Sequence, residues 1–257
     1  MPGPLKALEF PPSALRWGVG TSFIPQSRFA TAKVGNGCLL DSRRALYHET
    51  QNWLAVADVH FGYELNRARQ HGALPPQWGM AATEQRLVEL LCHYRPASLI
   101  MVGDIMDGGG SIRETTKLLR RLRTQVAELV CVEGNHDRAA LKRDEQFVPW
   151  HRGEGFVFQH GHRFAMVLRA TEEGEPAVHI TGHEHPALPF SDGAGLKLKL
   201  PVLVQDRIAE TKVEHWILPA FSPWAGGAVY HSRHERLATW ACTENQVVKA
   251  APDGYGR

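Results

Sequence analysis

Five short segments carry side chains that bind divalent metals, in a fixed order: Asp58-Val59-His60, Gly103-Asp104, Gly134-Asn135-His136-Asp137, His160-Gly161-His162 and Gly182-His183-Glu184-His185. Asp58 and His60 are two apart, as are His183 and His185, so on extended backbone each pair points to one side and can grip one ion. Asp104 offers two carboxylate oxygens and can bridge two cations ~3.5–4 Å apart, the spacing of two-metal hydrolytic centres. Asn135 adds a neutral oxygen, and the His160-Gly161-His162 block another imidazole. The spacing does not choose between His160 and His162. Oxygen and imidazole donors without a thiolate favour manganese, iron or zinc over calcium or an iron–sulfur cluster.

Such a centre does a narrow kind of chemistry. Two divalent ions, less the charges of Asp58, Asp104 and a bridging hydroxide, leave roughly +1, which attracts a phosphate and stabilises charge building on its oxygens. Metals that depress the pKa of bound water supply hydroxide near neutral pH, and in-line displacement at phosphorus follows. Taken singly the blocks are weak: Asp-Val-His recurs by chance, Gly-Asp marks turns, and Gly-His-Glu-His can sit in an exposed loop. Their order, mostly behind apolar runs, points to one centre.

Those runs are the elements that must deliver the donors. Trp53–Ala57, Leu99–Val102, Leu129–Val132, Phe156–Phe158 and Val178–Thr181 read as buried strands, each ending just before a block. Cys38–Leu40 and Ala45–Tyr47 read as a hairpin feeding the first of them. Thr83–Tyr94 is an amphipathic helix ended by Pro96. A second helix runs from about Ser111 to Gln125, with Ser111 and Glu114 forming a capping box. Strand–helix–strand alternation through Val132 predicts right-handed crossovers and a largely parallel first sheet. After Arg143 short strands dominate, at Leu196–Leu200, Val202–Val204 and Val213–Phe221. The expected fold class is α/β (α+β), two packed β-sheets with helices outside. Residues 1–32 read as an irregular N-terminal extension, 33–248 as one domain and 249–257 as a tail.

The chain has 257 residues, 43% apolar and 22% charged, with a formal net charge of +2. It can bury a sizeable core, and its charge neither demands nor forbids nucleic acid. No apolar run approaches the ~20 residues of a membrane span, and the N-terminus lacks a secretory pattern. Cys38, Cys92, Cys131 and Cys242 are far apart, as expected of reduced thiols in a cytoplasmic protein.

The five ordered blocks, from about Leu39 to Gly227, resemble the calcineurin-like metallophosphoesterase superfamily. The resemblance implies a four-layer metallophosphoesterase sandwich, two mixed β-sheets flanked by helices, with the site at the strand carboxyl ends. It also implies ligand roles: Asp58, His60 and His185 on a first metal; Asn135, His160 and His183 on a second; Asp104 between them. His136 would act as general acid or stabilise the pentacovalent phosphate, and Asp137 would orient its imidazole. The cofactors implied are two divalent ions, manganese foremost, with iron, zinc or magnesium open.

Val56–Glu64, Gly72-Ala73-Leu74-Pro75 and Leu218–Pro223 with Gly226-Gly227 resemble one branch, the DNA-ligase-associated (PdeM-type) and archaeal SbcD-related phosphoesterases. That branch implies hydrolysis of phosphodiester bonds by metal-activated hydroxide, a nuclease or phosphodiesterase linked to DNA repair, with DNA and ligase or helicase proteins as partners. A small-molecule or cyclic-nucleotide phosphatase or phosphodiesterase is the alternative, and a non-catalytic scaffold of the same fold a further one.

Outside the blocks, Asp107 reads as a support for a ligand or as a turn residue. The Gly108-Gly109-Gly110 run reads as a flexible loop. Lys117, Arg120, Arg121 and Arg123 read as a solvated helix face or, alternatively, a phosphate-backbone contact. The loop Phe61–Trp78, with Tyr63, Arg67, Arg69 and Trp78, is the expected place for stacking on bases. Packing explains Trp78 equally well.

Overall fold

Every apolar run that precedes a donor block is a strand, and these strands lie in two facing sheets. The computed structural model describes residues 29–71, 79–162, 178–191, 197–209, 212–232 and 234–250. Most of the extension read in 1–32, the segment with Gly72–Pro75 and Trp78, residues 192–196 and the end of the tail lie outside them.

The first sheet has the order β1 (Thr31–Gly35), β2 (Cys38–Asp41), β3 (Ala45–His48), β4 (Trp53–Ala57), β5 (Ser98–Val102) and β6 (Glu128–Val132). The crossovers make β4–β5 and β5–β6 parallel, while β1 through β4 are joined antiparallel. The sheet is therefore mixed, not largely parallel, because tight hairpins build its other half. β1 begins at Thr31, inside the span read as irregular.

The second sheet runs β14 (Val247–Lys249), β13 (Glu235–Cys242), β11 (Lys197–Arg207), β12 (Glu214–Ile217), β9 (Val178–Thr181), β8 (Phe156–Phe158) and β7 (His151–Gly153), with β10 (Ala187–Ser191) also on β11. β8, β9 and β12 are mutually parallel. Both sheets thus place parallel strands beside each other, and a parallel strand must be apolar on both faces. β4, β8 and β9 are buried throughout.

Between the sheets, Leu40, Trp53, Ile100, Val102 and Val130 pack on Phe156, Phe158, Ile180, Trp216 and Leu218. On the outer face of the first sheet, Leu54, Val56, Leu99 and Met101 meet Leu87, Leu90 and Leu91 of α2 (Gly79–Tyr94), Leu118, Leu119 and Leu122 of α3 (Ile112–Arg123) and Leu141 of α4 (Ala139–Asp144). A smaller cluster of Val202, Val204, Ile217 and Ala241 lies apart, with Leu188 and Tyr230 against it. The start of the expected loop Phe61–Trp78 is α1 (Tyr63–His71), which contacts α2.

After β12 the chain crosses between the sheets. Leu218 N–H donates to Thr181 at 2.8 Å, and three residues later Phe221 N–H donates to Ala57, also at 2.8 Å. The run expected as one long strand is a four-residue strand plus this bridge.

Candidate metal centre

The loops after β4, β5, β6, β8 and β9 open at one end of the two sheets, and there the donor blocks converge. Asp58, His60 and His185 bring one donor atom each within 4.8 Å of one another, as do Asp104, His160 and His183. His185 Nε2 lies 3.3 Å from Asp58 Oδ1 and 3.2 Å from His60 Nε2. His160 Nε2 lies 3.1 Å from both Asp104 Oδ2 and Asn135 Oδ1. Asp104 stands between the groups, its Oδ2 4.0 Å from His60 Nε2. All seven residues expected as ligands therefore gather in one place. His160, fully buried, faces Asp104 and Asn135, whereas the His162 ring lies 5.3 Å from that of His160 and 6.3 Å from that of His183.

The backbone is bent to achieve this. Asp58, His60, Asp104, His183 and His185 all have positive φ, between 43° and 71°. For residues with a Cβ that region is costly and single occurrences are uncommon; five within one cluster identify a place where function, not chain economy, sets the conformation. Gly103 also has positive φ, and a Cβ there would lie 2.2 Å from His160 Nδ1. Gly134 lets its loop approach the Asp104 backbone, where a Cβ would come within 2.1 Å of the Asp104 nitrogen.

Backbone amides lock the acids. His183 N–H reaches both Asp58 oxygens at 3.1 and 3.0 Å, and His136 N–H donates to Asp104 Oδ1 at 2.8 Å. Burial would raise the Asp104 carboxyl, but the hydrogen bond and charge of His160 outweigh it and bring its pKa down to about 2. Burial pulls His160 and His185 down, yet the carboxylates facing them leave both above the ordinary imidazole range. His60 and His183 fall below it, by burial first. Two buried carboxylates, one amide and four imidazoles with facing lone pairs suit divalent cations: two ring nitrogens 3.2 Å apart repel when both are neutral acceptors, and a cation between such donors removes the conflict.

His136 differs from the other imidazoles in the cluster. Its side chain is 47% exposed while that of His160 is 0%, so a substrate can reach it. Its Nε2 lies 3.9 Å from Asp104 Oδ2. Asp137, expected to orient the His136 ring, does something else. Its oxygens accept from Met106 N–H at 2.9 Å and Gly134 N–H at 2.8 Å, tying the β6 loop to the β5 loop. Burial pushes its pKa up to about 6. A second carboxylate near His136, besides Asp104, is Asp107, which groups with His60 and His136 within 4.8 Å and is itself held by Asn66 at 2.9 Å and Gly109 N–H at 3.0 Å.

Beside the centre, Tyr63 at the start of α1 stacks with Trp224, centroids 6.4 Å apart and planes 13° apart, and the Arg67 guanidinium lies 5.9 Å from the Tyr63 ring. Tyr63 and Arg67 are residues expected at this place from the sequence; Trp224 is not among them, and its signal is its place just beyond Ser222-Pro223. In the basic run of α3, Lys117 pairs with Glu114, Arg121 with Glu84 and Arg123 with Glu145, while Arg120 is exposed.

A family model described as Calcineurin-like phosphoesterase matches residues 53–250. No curated protein matches the sequence. Among solved structures, the chain is similar to nuclease MPE of Pseudomonas putida, with 23% identity and a TM-score of 0.55 over 86% of this chain and 100% of that one. It is also similar to Yfce, a phosphoesterase from E. coli, at 15% identity and a TM-score of 0.41 over 77% and 98% of the two chains. The family model covers most of the chain: the protein belongs to the calcineurin-like phosphoesterase family and is a metal-dependent hydrolase.

Proposed function

We propose that this phosphoesterase hydrolyses phosphodiesters of nucleic acid or nucleotides, using a two-metal centre held by Asp58, His60, Asp104, Asn135, His160, His183 and His185. The observation that carries the reading is the pair of donor groups sharing the flank of Asp104. Two divalent ions would activate water as a nucleophile near neutral pH and offset charge on the phosphoryl oxygens. Manganese is the ion proposed, from a donor set of oxygens and imidazoles without sulfur.

The chain's own residues do the rest. Asp58 and Asp104 set the negative charge of the site and are fixed by backbone N–H groups, so little reorganisation is needed during reaction. His136, half-exposed at the rim, is placed to donate a proton to the leaving oxygen. Asp107 lies close to the same ring, its carboxylate grouped with His60 and His136. The Tyr63–Trp224 pair with Arg67 offers aromatic faces and a cation to a base and its phosphate, which supports a nucleotide-containing diester over a simple monoester. The similar P. putida protein is a nuclease. A role in DNA repair, with DNA and ligase or helicase proteins as partners in the cytoplasm, extends the proposal along the branch resemblance.

A screen of the protein loaded in turn with manganese, iron, zinc and magnesium tests it, against bis-p-nitrophenyl phosphate, p-nitrophenyl phosphate, cyclic nucleotides and single- and double-stranded DNA. Diester and DNA cleavage exceeding monoester cleavage is expected, highest with manganese. Activity confined to monoesters contradicts the diesterase reading.

A further inference from the structure

Behind the segment that bridges the sheets lies a cavity of ≈ 460 Å³, and none of the seven donor residues lines it. Its wall includes Ser42, Arg43 and Arg44 of the β2–β3 turn, Arg86 of α2, and Lys199 of β11. Glu89 and Glu244 also face it. Asp41 is already committed to Arg43, its Oδ2 accepting from Nη2 at 2.6 Å and its Oδ1 from Nε at 2.9 Å.

Two polar atoms in this wall are buried and have no hydrogen-bond partner: Arg86 Nε and Ser42 Oγ. Ser42 as a whole is 3% exposed. Arg86 stacks over Phe221, 3.9 Å from the ring centroid, and donates through Nη2 to the Phe221 carbonyl. Its pKa is pushed down to about 9, by burial and then by the charges of Arg44 and Arg43. Arg44 has φ 68°, a conformation a long side chain seldom adopts, and donates to the Ser222 carbonyl at 2.8 Å. Arg44, Arg86 and Lys199 thus gather around a space beneath whose wall Ser42 Oγ and Arg86 Nε lie buried and unbonded. Such an arrangement is stabilised by an anion with several acceptor oxygens, and guanidinium groups match phosphate best. The cavity volume falls in the range of small-ligand pockets and accommodates a mononucleotide.

We propose that this cavity is a second anion site, separate from the metal centre, that takes a phosphate group through Arg86, Arg44, Lys199 and Ser42. A ligand there would bear on the centre through one shared segment. Arg44 and Arg86 hold the carbonyls of Ala220, Phe221 and Ser222, while Phe221 N–H and Ser222 N–H donate to Ala57 and Asp58. The phosphate can belong to a free nucleotide or to the backbone of a bound strand.

Equilibrium dialysis of the manganese-loaded full chain against labelled inorganic phosphate tests the site. Two phosphates per chain are expected, one at each place. Arg86→Gln and Ser42→Val should each weaken one of them about tenfold or more and leave the other. Ser42→Val keeps the arginine bonds to the 220–222 carbonyls, so it decides the matter if Arg86→Gln fails to fold. Asp104→Asn should remove the metal-centre phosphate and spare the Arg86-dependent one. If it spares both, the cavity stands and the metal-centre reading falls. A single phosphate that neither Arg86→Gln nor Ser42→Val affects overturns the proposal. Displacement of the Arg86-dependent phosphate by a short single-stranded oligonucleotide assigns the pocket to a strand backbone; displacement by a nucleoside monophosphate alone assigns it to a free ligand.

Discussion

His136 and Asp137 are neighbours in sequence with unrelated work. His136 sends its backbone N–H to Asp104 and keeps its ring at the rim, while Asp137 turns inward to two backbone N–H groups. Replacing His136 with alanine should therefore lower kcat by ~10²–10⁴-fold, the usual worth of a positioned acid or base, with metal content unchanged by elemental analysis. Asp107→Asn should reduce kcat less, because His136 keeps its own ring and loses only a neighbouring carboxylate. Residue types and spacing made the donor blocks legible, since a metal centre needs those atoms whatever the surroundings. They did not make Asp137 legible, because one-letter adjacency does not say which way a carboxylate turns.

Among the elements, the strands that end at the donors were readable because parallel strands buried on both faces are unbroken apolar runs. β13 was not: its burial is graded, and Glu235, Arg236 and Thr239 interrupt any apolar period. β11 was read as two strands because Pro201 divides it. In the fold Pro201 pairs with Ala187 of β10, and from Val202 onward the strand pairs with β13, so the proline marks a change of partner. The capping box of α3 is half present. Ser111 Oγ accepts from Glu114 N–H at 3.4 Å, but the Glu114 carboxylate pairs with Lys117 at 2.9 Å. Ser111→Ala should cost about 1 kcal/mol in denaturant unfolding with kcat unaltered, since α3 packs on the outer face of the first sheet, away from the donors.

At the scale of the molecule, two sheets back to back aim their strand ends at one place, and the charges there and beneath them make stability depend on pH. His179 and His215 sit side by side in the parallel β9–β12 pair, and burial pushes their pKa values down to about 4 and about 3. The unfolded chain takes up these protons near pH 6.5 while the folded chain still refuses them. Stability from this source is thus intact above about pH 6.5 and is lost as pH falls toward the folded values. His179 also has neither ring nitrogen hydrogen-bonded, so His179→Leu should gain more stability near pH 5 than near pH 8, read from urea midpoints. An equal gain at both would contradict the linkage. No helix among the described residues is long and apolar enough to cross a membrane. The gathering of donors is the feature on which the hydrolase account turns, and anomalous diffraction from crystals grown with manganese reads it directly. Two peaks ~3.5–4 Å apart, with Asp104 between them, are predicted; a single peak, or peaks away from Asp58, Asp104 and His160, would contradict it.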